Sequence, residues 1–154
     1  MSFRRSLIWA GGVIACIALA FVLVNLRQAV LRAKQVGTCA DLQAYCSLLD
    51  RYRVRHGNYP TQLLVAVQEA GYKPEVETYL AQCKDRWGYS IHYESRGSSY
   101  VLVSFGRDGL PDGSDYWSIR AKYSSAGALP FMPCLDFNAD AIASDLAVHR
   151  CCGK

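Results

Sequence analysis

Asp108, Asp112 and Asp115 fall within eight residues and alternate with Gly106, Gly109 and Gly113. Three carboxylates this close repel one another unless a cation or solvent separates them. Calcium takes several hard oxygen ligands at about 2.3–2.6 Å from a pliable backbone, and aspartates on a glycine-rich loop can supply them. The plainer alternative is a solvated turn, because Asp-Gly is among the commonest turn pairs.

Cysteines form the second constellation. Of seven, Cys16 sits in an apolar run, while Cys39, Cys46, Cys83, Cys134, Cys151 and Cys152 follow it. An even number, dense in a small domain, favours disulfides and an oxidising compartment. Cys39 and Cys46 lie two helical turns apart, about 10.5 Å, too far to bridge each other. One arrangement has Cys151 and Cys152 stapling the tail to that helix, leaving Cys83 with Cys134, but six cysteines allow about fifteen pairings and the sequence does not choose. A zinc site from Cys134, His149, Cys151 and Cys152 is the sharper alternative; adjacent cysteines without the usual two-residue spacing argue against it.

Other reactive types carry less. His56, His92 and His149 lie in no nucleophile motif, so the expectation is that the chain is not an enzyme. Tyr89, Tyr93 and Tyr100 read as sheet packing rather than as a stacking platform. Arg51, Arg53 and Arg55 read as a solvated helix face that could also meet acidic groups of a neighbouring subunit.

These groups must be positioned by a short chain. At 154 residues there is room for about one domain. Leu7 to Leu26, LIWAGGVIACIALAFVLVNL, holds no charge, and all 13 acidic residues come after it. Twenty helical residues rise about 30 Å, enough to span a hydrocarbon core. Ala18-Leu19-Ala20 has the form of a signal cleavage site, but Phe21 to Val24 continue the apolar run, so an uncleaved membrane helix is expected. The remainder carries 15 basic and 13 acidic groups, too even a balance for nucleic-acid binding driven by phosphates. The basic groups flanking the run are nearly tied in number, so the cysteines decide orientation: N-terminus cytoplasmic, domain periplasmic or otherwise exported.

The helix continues past residue 27, with Gly37 a weak point where Thr38 and Asp41 resemble a capping pair and the helix can kink and restart. Leu42, Tyr45, Leu49 and Tyr52, with Cys46 beside them, form one apolar stripe. His56-Gly57-Asn58 and Pro60 end it. Thr61 to Ala70 predicts a short helix and Tyr72 to Lys84 a loop with at most one helical turn. Ser90 to Glu94 and Tyr100 to Ser104 predict an antiparallel hairpin. A third strand is expected around Tyr116 to Ile119 and a terminal helix over Asp136 to His149. Packing the stripe on one face of the sheet gives the large core.

YRVRHGNYP at 52–60, Asp85-Arg86-Trp87-Gly88, Tyr93 and then YVLVSFGRDG at 100–109 resemble, in order and spacing, the major pseudopilin of bacterial type II secretion systems over residues 38–119. Arg86 stands where that family often has proline. The resemblance implies an α+β, pilin-like fold: a long N-terminal helix, membrane-spanning in its first half, packed on a small antiparallel sheet. It implies self-association, or association with other pseudopilins, through those helices. It also implies calcium in the loop after the second strand, with Asp108, Asp115 and Asp112 as carboxylate ligands and the carbonyl of Phe105 as a backbone ligand. The N-terminus departs from the pattern: Val13 follows Gly11-Gly12 and no acid precedes Asp41, so a divergent relative with a permanent anchor and no prepilin peptidase site is expected.

The expected organisation is a cytoplasmic stretch 1–6, a transmembrane helix 7–26, a pseudopilin-like periplasmic domain 27–119 and a cysteine-rich extension 120–154. The expected function is a structural subunit or accessory of type II secretion, bound to the inner membrane and not to nucleic acid. The alternative is a monomeric, membrane-tethered interaction module with the same domain.

Overall fold

The structure is a computed structural model. It describes residues 2–113, 115–118, 120–121, 137–138, 140–145 and 148–150, with the backbone alone for 2–11 and 148–150. A single helix, α1, runs from Ser2 to His56, about 80 Å at 1.5 Å per residue. No proline precedes Pro60, and the helix runs through Gly37 without the expected stop and restart. Gly57, at φ +82°, ends it, with its N–H donating to the Arg53 carbonyl at 2.7 Å. Arg53, Arg55 and His56 occupy the last turn, where positive charge meets the negative end of the helix dipole.

The two halves of α1 differ in what covers them. Val13, Ile14, Ile17, Phe21 and Val24 are each more than half exposed. From Gln35 onward a stripe of Thr38, Cys39, Leu42, Tyr45, Leu48 and Leu49 is buried. The stripe packs against α2 (Leu63–Glu69), against Leu80 of α3 (Pro74–Ala81), and against one face of a sheet. α3 replaces the loop expected there: Pro74 sits at its start and Glu75 and Glu77 in its first turn, all favourable at a helix N-terminus.

The sheet is an antiparallel meander of β1 (His92–Arg96), β2 (Ser99–Ser104), β3 (Ala141–Ser144) and β4 (Val148–Arg150), paired in that order. Arg96 pairs with Ser99, so Gly97-Ser98 makes a two-residue turn with Gly97 at φ +62°. Tyr100 and Leu102 of β2, with Ala141 and Ala143 of β3, meet α1; the small alanines leave room for the helix. Val101, Val103 and Ile142 face the other way, beneath Phe105, Tyr116 and Trp117.

Two sequence expectations are corrected here. Residues 116–118 and 120–121 are helical rather than a third strand, because the Asp115 carboxylate accepts the Trp117 N–H at 3.1 Å and starts a turn. The expected terminal helix over 136–149 is replaced by β3 and β4. Ala141 to Ser144 are buried on both faces, and a short apolar run of that kind has no period that separates strand from helix. The segment after α1 is fastened to the hairpin. The Tyr59 N–H donates to the Gly97 carbonyl at 3.0 Å, and Tyr93 Oη and Ser95 Oγ donate to the Pro60 carbonyl at 2.7 and 2.8 Å.

Candidate functional site

The loop leaving β2 is held at its entry by a buried aspartate. Asp85 accepts the N–H groups of Trp87 and Tyr89 on Oδ1 at 3.0 and 2.9 Å, and Ser104 Oγ donates to its Oδ2 at 2.6 Å. The Asp85-Arg86-Trp87-Gly88 turn and the start of the loop are thereby one unit. Tyr89 lies over Gly109 so closely that a Cβ there would stand 2.5 Å from its ring. On the far side, the Arg107 N–H donates to the Phe137 carbonyl at 2.8 Å.

The loop aspartates have separate local duties. Asp108 Oδ1 accepts the Leu110 N–H and Asp115 Oδ1 the Trp117 N–H, both at 3.1 Å. The Asp112 N–H donates to Asp140 Oδ2 at 3.1 Å, and Tyr116 Oη donates to the same oxygen at 2.8 Å. Phe105 faces the ring of His92 at 5.9 Å. Among the described residues, no three His, Cys, Asp or Glu side chains converge to hold one ion.

Asp140 is the residue that sequence reading missed. It is 0% exposed, and its Oδ1 has no hydrogen-bond partner. Burial pushes its carboxyl above the usual range; the Asp112 carboxylate beside it acts in the same direction, against the Asp112 N–H and the Tyr116 hydroxyl. The clue in the sequence was an acid immediately before an apolar run. An orphaned buried oxygen beside a second carboxylate suits a hard cation in donor type. Asp112 and Asp140 are the side chains that would hold it, with Asp108 and Asp115 near in sequence. A bound cation would supply charge neutralisation and nothing more.

A second polar cluster joins α1 to the turn before β1. Arg86 Nε and Nη2 donate to Asp41 Oδ2 and Oδ1 at 2.7 and 2.9 Å, and Tyr79 Oη donates to Oδ2 at 3.0 Å. The Arg86 N–H donates to Thr38 Oγ1 at 3.2 Å. Thr38 and Asp41, expected to cap a restarted helix, instead dock the sheet module on an unbroken one. Gly37 leaves the space: a Cβ there would lie 3.0 Å from Arg86 Cγ.

A family model described as type II secretion system (T2SS), protein G, matches residues 25–121, well over half of the chain. The chain belongs to that family. Comparison with curated proteins gave no match, and comparison with solved structures gave none.

The pseudopilins are a structural family rather than an enzyme family. The helix of this chain from Gly12 is long and apolar enough to cross a membrane, with a mean hydropathy of 2.1 over the best window and none of that window buried. Cys39 is disulfide-bonded, whereas Cys46 and Cys83 are free thiols. That corrects the suggested bridges from Cys46 to the tail and from Cys83 to Cys134. Both thiols pack as small apolar groups against the core, and burial pushes Cys46 up to about 11. Cys134, Cys151, Cys152 and the side chain of His149 lie outside the described residues, and the zinc alternative with them. His56 pairs with Glu69 at 2.8 Å and His92 with Glu94 at 3.0 Å, both near the surface. Tyr93 and Tyr100 pack in the core as expected, whereas Tyr89 serves the loop. Arg51, Arg53 and Arg55 are exposed; Arg53 also donates to Tyr59 Oη at 3.2 Å and Arg55 to the Glu69 carbonyl at 3.3 Å.

Proposed function

We propose that this pseudopilin is a structural subunit of a type II secretion machinery, anchored in the inner membrane by the apolar half of α1 with its sheet domain in the periplasm. The observation that carries the reading is the uncovered first half of α1. Phe21 is 70% exposed and Ile14 68%, and among the described residues no element of the fold packs there. Such a surface is stable only in lipid or against other apolar helices. The first solution supports the anchor; the second supports association with other pseudopilins through the same helix. The oxidised Cys39 supports an oxidising compartment for the domain. Calcium in the loop, on Asp108, Asp112, Asp115 and the Phe105 carbonyl, is part of the same proposal.

The experiment is cross-linking in intact membranes through single cysteines placed across 12–26. A regular ladder of oligomers, or cross-links to other pseudopilins, is expected. A lone monomer at every position would replace this reading with that of a tethered interaction module. Labelling from the periplasmic side should reach an engineered cysteine on α3 in intact cells; labelling only after lysis would overturn the orientation.

A further inference from the structure

Asp140 belongs to the approach to β3, beyond the 25–121 segment that matches the family. It enters the loop from a different part of the chain. Its Oδ2 is satisfied twice, by the Asp112 N–H and by Tyr116 Oη. Its Oδ1 is sealed from solvent without a donor. An acceptor left in that state is costly, and more so when charged. The Asp112 carboxylate lies beside it, which adds repulsion.

Two things relieve such a pair: a shared proton or a shared cation. Three features favour the cation. Asp112 is exposed while Asp140 is buried, so the pair opens to solvent on one side and an ion can enter. Asp108 and Asp115 flank Asp112 within the same short loop, adding negative potential that a single proton would leave largely uncompensated. Oxygen donors on a glycine-containing loop suit a cation that takes carbonyls and water beside carboxylates.

We propose that Asp140 is a ligand of the loop's divalent cation, jointly with Asp112, so that one hard ion of the calcium class clamps the loop to β3. The inference rests on the calcium reading above and deepens it by naming a ligand outside the family-matched segment. The ion then closes the contact between the loop and the third strand as well as the loop itself.

The test uses the full-length protein in detergent micelles. Terbium luminescence, sensitised by Tyr116 and Trp117 and competed with Ca2+, reads affinity; melting in Ca2+ and in chelator reads stability. Asp140→Asn and Asp112→Asn should each weaken Ca2+ at least about tenfold and abolish the Ca2+-dependent rise in melting temperature. Glu75→Gln, exposed on α3, should change neither. Wild-type affinity retained in Asp140→Asn overturns the inference, and the same variant losing nothing while Asp112→Asn weakens Ca2+ leaves the calcium reading standing. A wild-type protein that binds no terbium and melts alike in Ca2+ and chelator overturns both, and assigns the pair to a shared proton. Should Asp140→Asn fail to fold, Asp140→Glu, which keeps the carboxylate but displaces it by a methylene, decides: weaker Ca2+ binding is expected, and unchanged affinity overturns the inference.

Discussion

The guanidinium of Arg86 grips both oxygens of Asp41, with Nε at 2.7 Å and Nη2 at 2.9 Å. The two residues lie 45 apart in sequence, one on α1 and one in the turn before β1. The Asp41 side chain is only 9% exposed and that of Arg86 46%, so the pair is partly screened. Its two-point geometry nevertheless fixes orientation as well as distance. Arg86→Ala should cost about 1–2 kcal/mol after allowing for that exposure, read as a lower urea midpoint at unchanged slope. The backbone bond from Arg86 to Thr38 adds a second tie that the proline often found in the family at this place could not make. A midpoint unmoved by Arg86→Ala would show that the contact orients without stabilising.

Gly37 gives a sharper test of the same contact. Replacing glycine by alanine inside a helix ordinarily gains about 1 kcal/mol. Here the new methyl would press on Arg86 Cγ at 3.0 Å and Nε at 3.2 Å, and Arg86 is tied to Asp41 and cannot step aside freely. Gly37→Ala should therefore gain little or lose in the wild type, yet gain the full amount in an Arg86→Ala background. The coupling in that double-mutant cycle should be at least about 0.5 kcal/mol. An additive cycle would mean that the arginine yields easily.

Gly109 and Gly113 separate two penalties on one loop. Both have φ in the left-handed region, at +68° and +76°. A Cβ on Gly113 meets nothing within 4 Å, whereas one on Gly109 meets Tyr89 at 2.5 Å. Gly113→Ala should cost about 1 kcal/mol from backbone conformation. Gly109→Ala should cost more, and removing the ring with Tyr89→Ala should bring the two alanine variants level in thermal melts.

Asp145 sets part of the acid sensitivity. Burial would raise its carboxyl, but Arg120 and the Tyr100 N–H overcome that and hold it below its ordinary value of 3.8. Arg120 Nε and Nη2 each donate at 2.7 Å. A depressed carboxylate contributes stability that is present above its unfolded value and is lost as pH falls through the lower folded one. Asp145→Asn should thus lower stability at pH 7 by about 1 kcal/mol. The deficit should shrink as pH drops below 3.8. A deficit that stays constant with pH would assign the loss to packing.

The cysteines separate by reagent. At neutral pH iodoacetamide should modify Cys46 slowly in the folded protein, because burial holds the thiol up at about 11, and rapidly in urea. Cys39 should react only after reductant. Equal rates at Cys46 with and without urea would show that it is not held in the core.

Much of the architecture was legible because its signals are local. Leu42, Tyr45 and Leu49 recur at helical spacing, Gly57 and Pro60 stop the helix, and the hairpin alternates around Gly97. What was missed needed partners distant in sequence. Tyr116-Trp117-Ser118 has strand-like residues, but Asp115 caps it into a helical turn over the sheet. Ala141 to Ser144 carries spacing that fits a helix, but is sealed between β2 and β4. The loop aspartates were visible as a cluster, while Asp140 was not, since only the fold brings it 28 residues back along the chain to Asp112. Likewise Thr38 and Asp41 advertise a cap, and nothing near them in sequence announces Arg86.

The Pro60 carbonyl takes hydroxyls from both Tyr93 and Ser95, and Tyr59 bonds the tip of the hairpin. The upper end of the rod is therefore welded to the sheet, just as Arg86 rivets it lower down. A push along the axis of the first half of the rod would reach the sheet as a rigid displacement, because α1 runs without interruption into both ties.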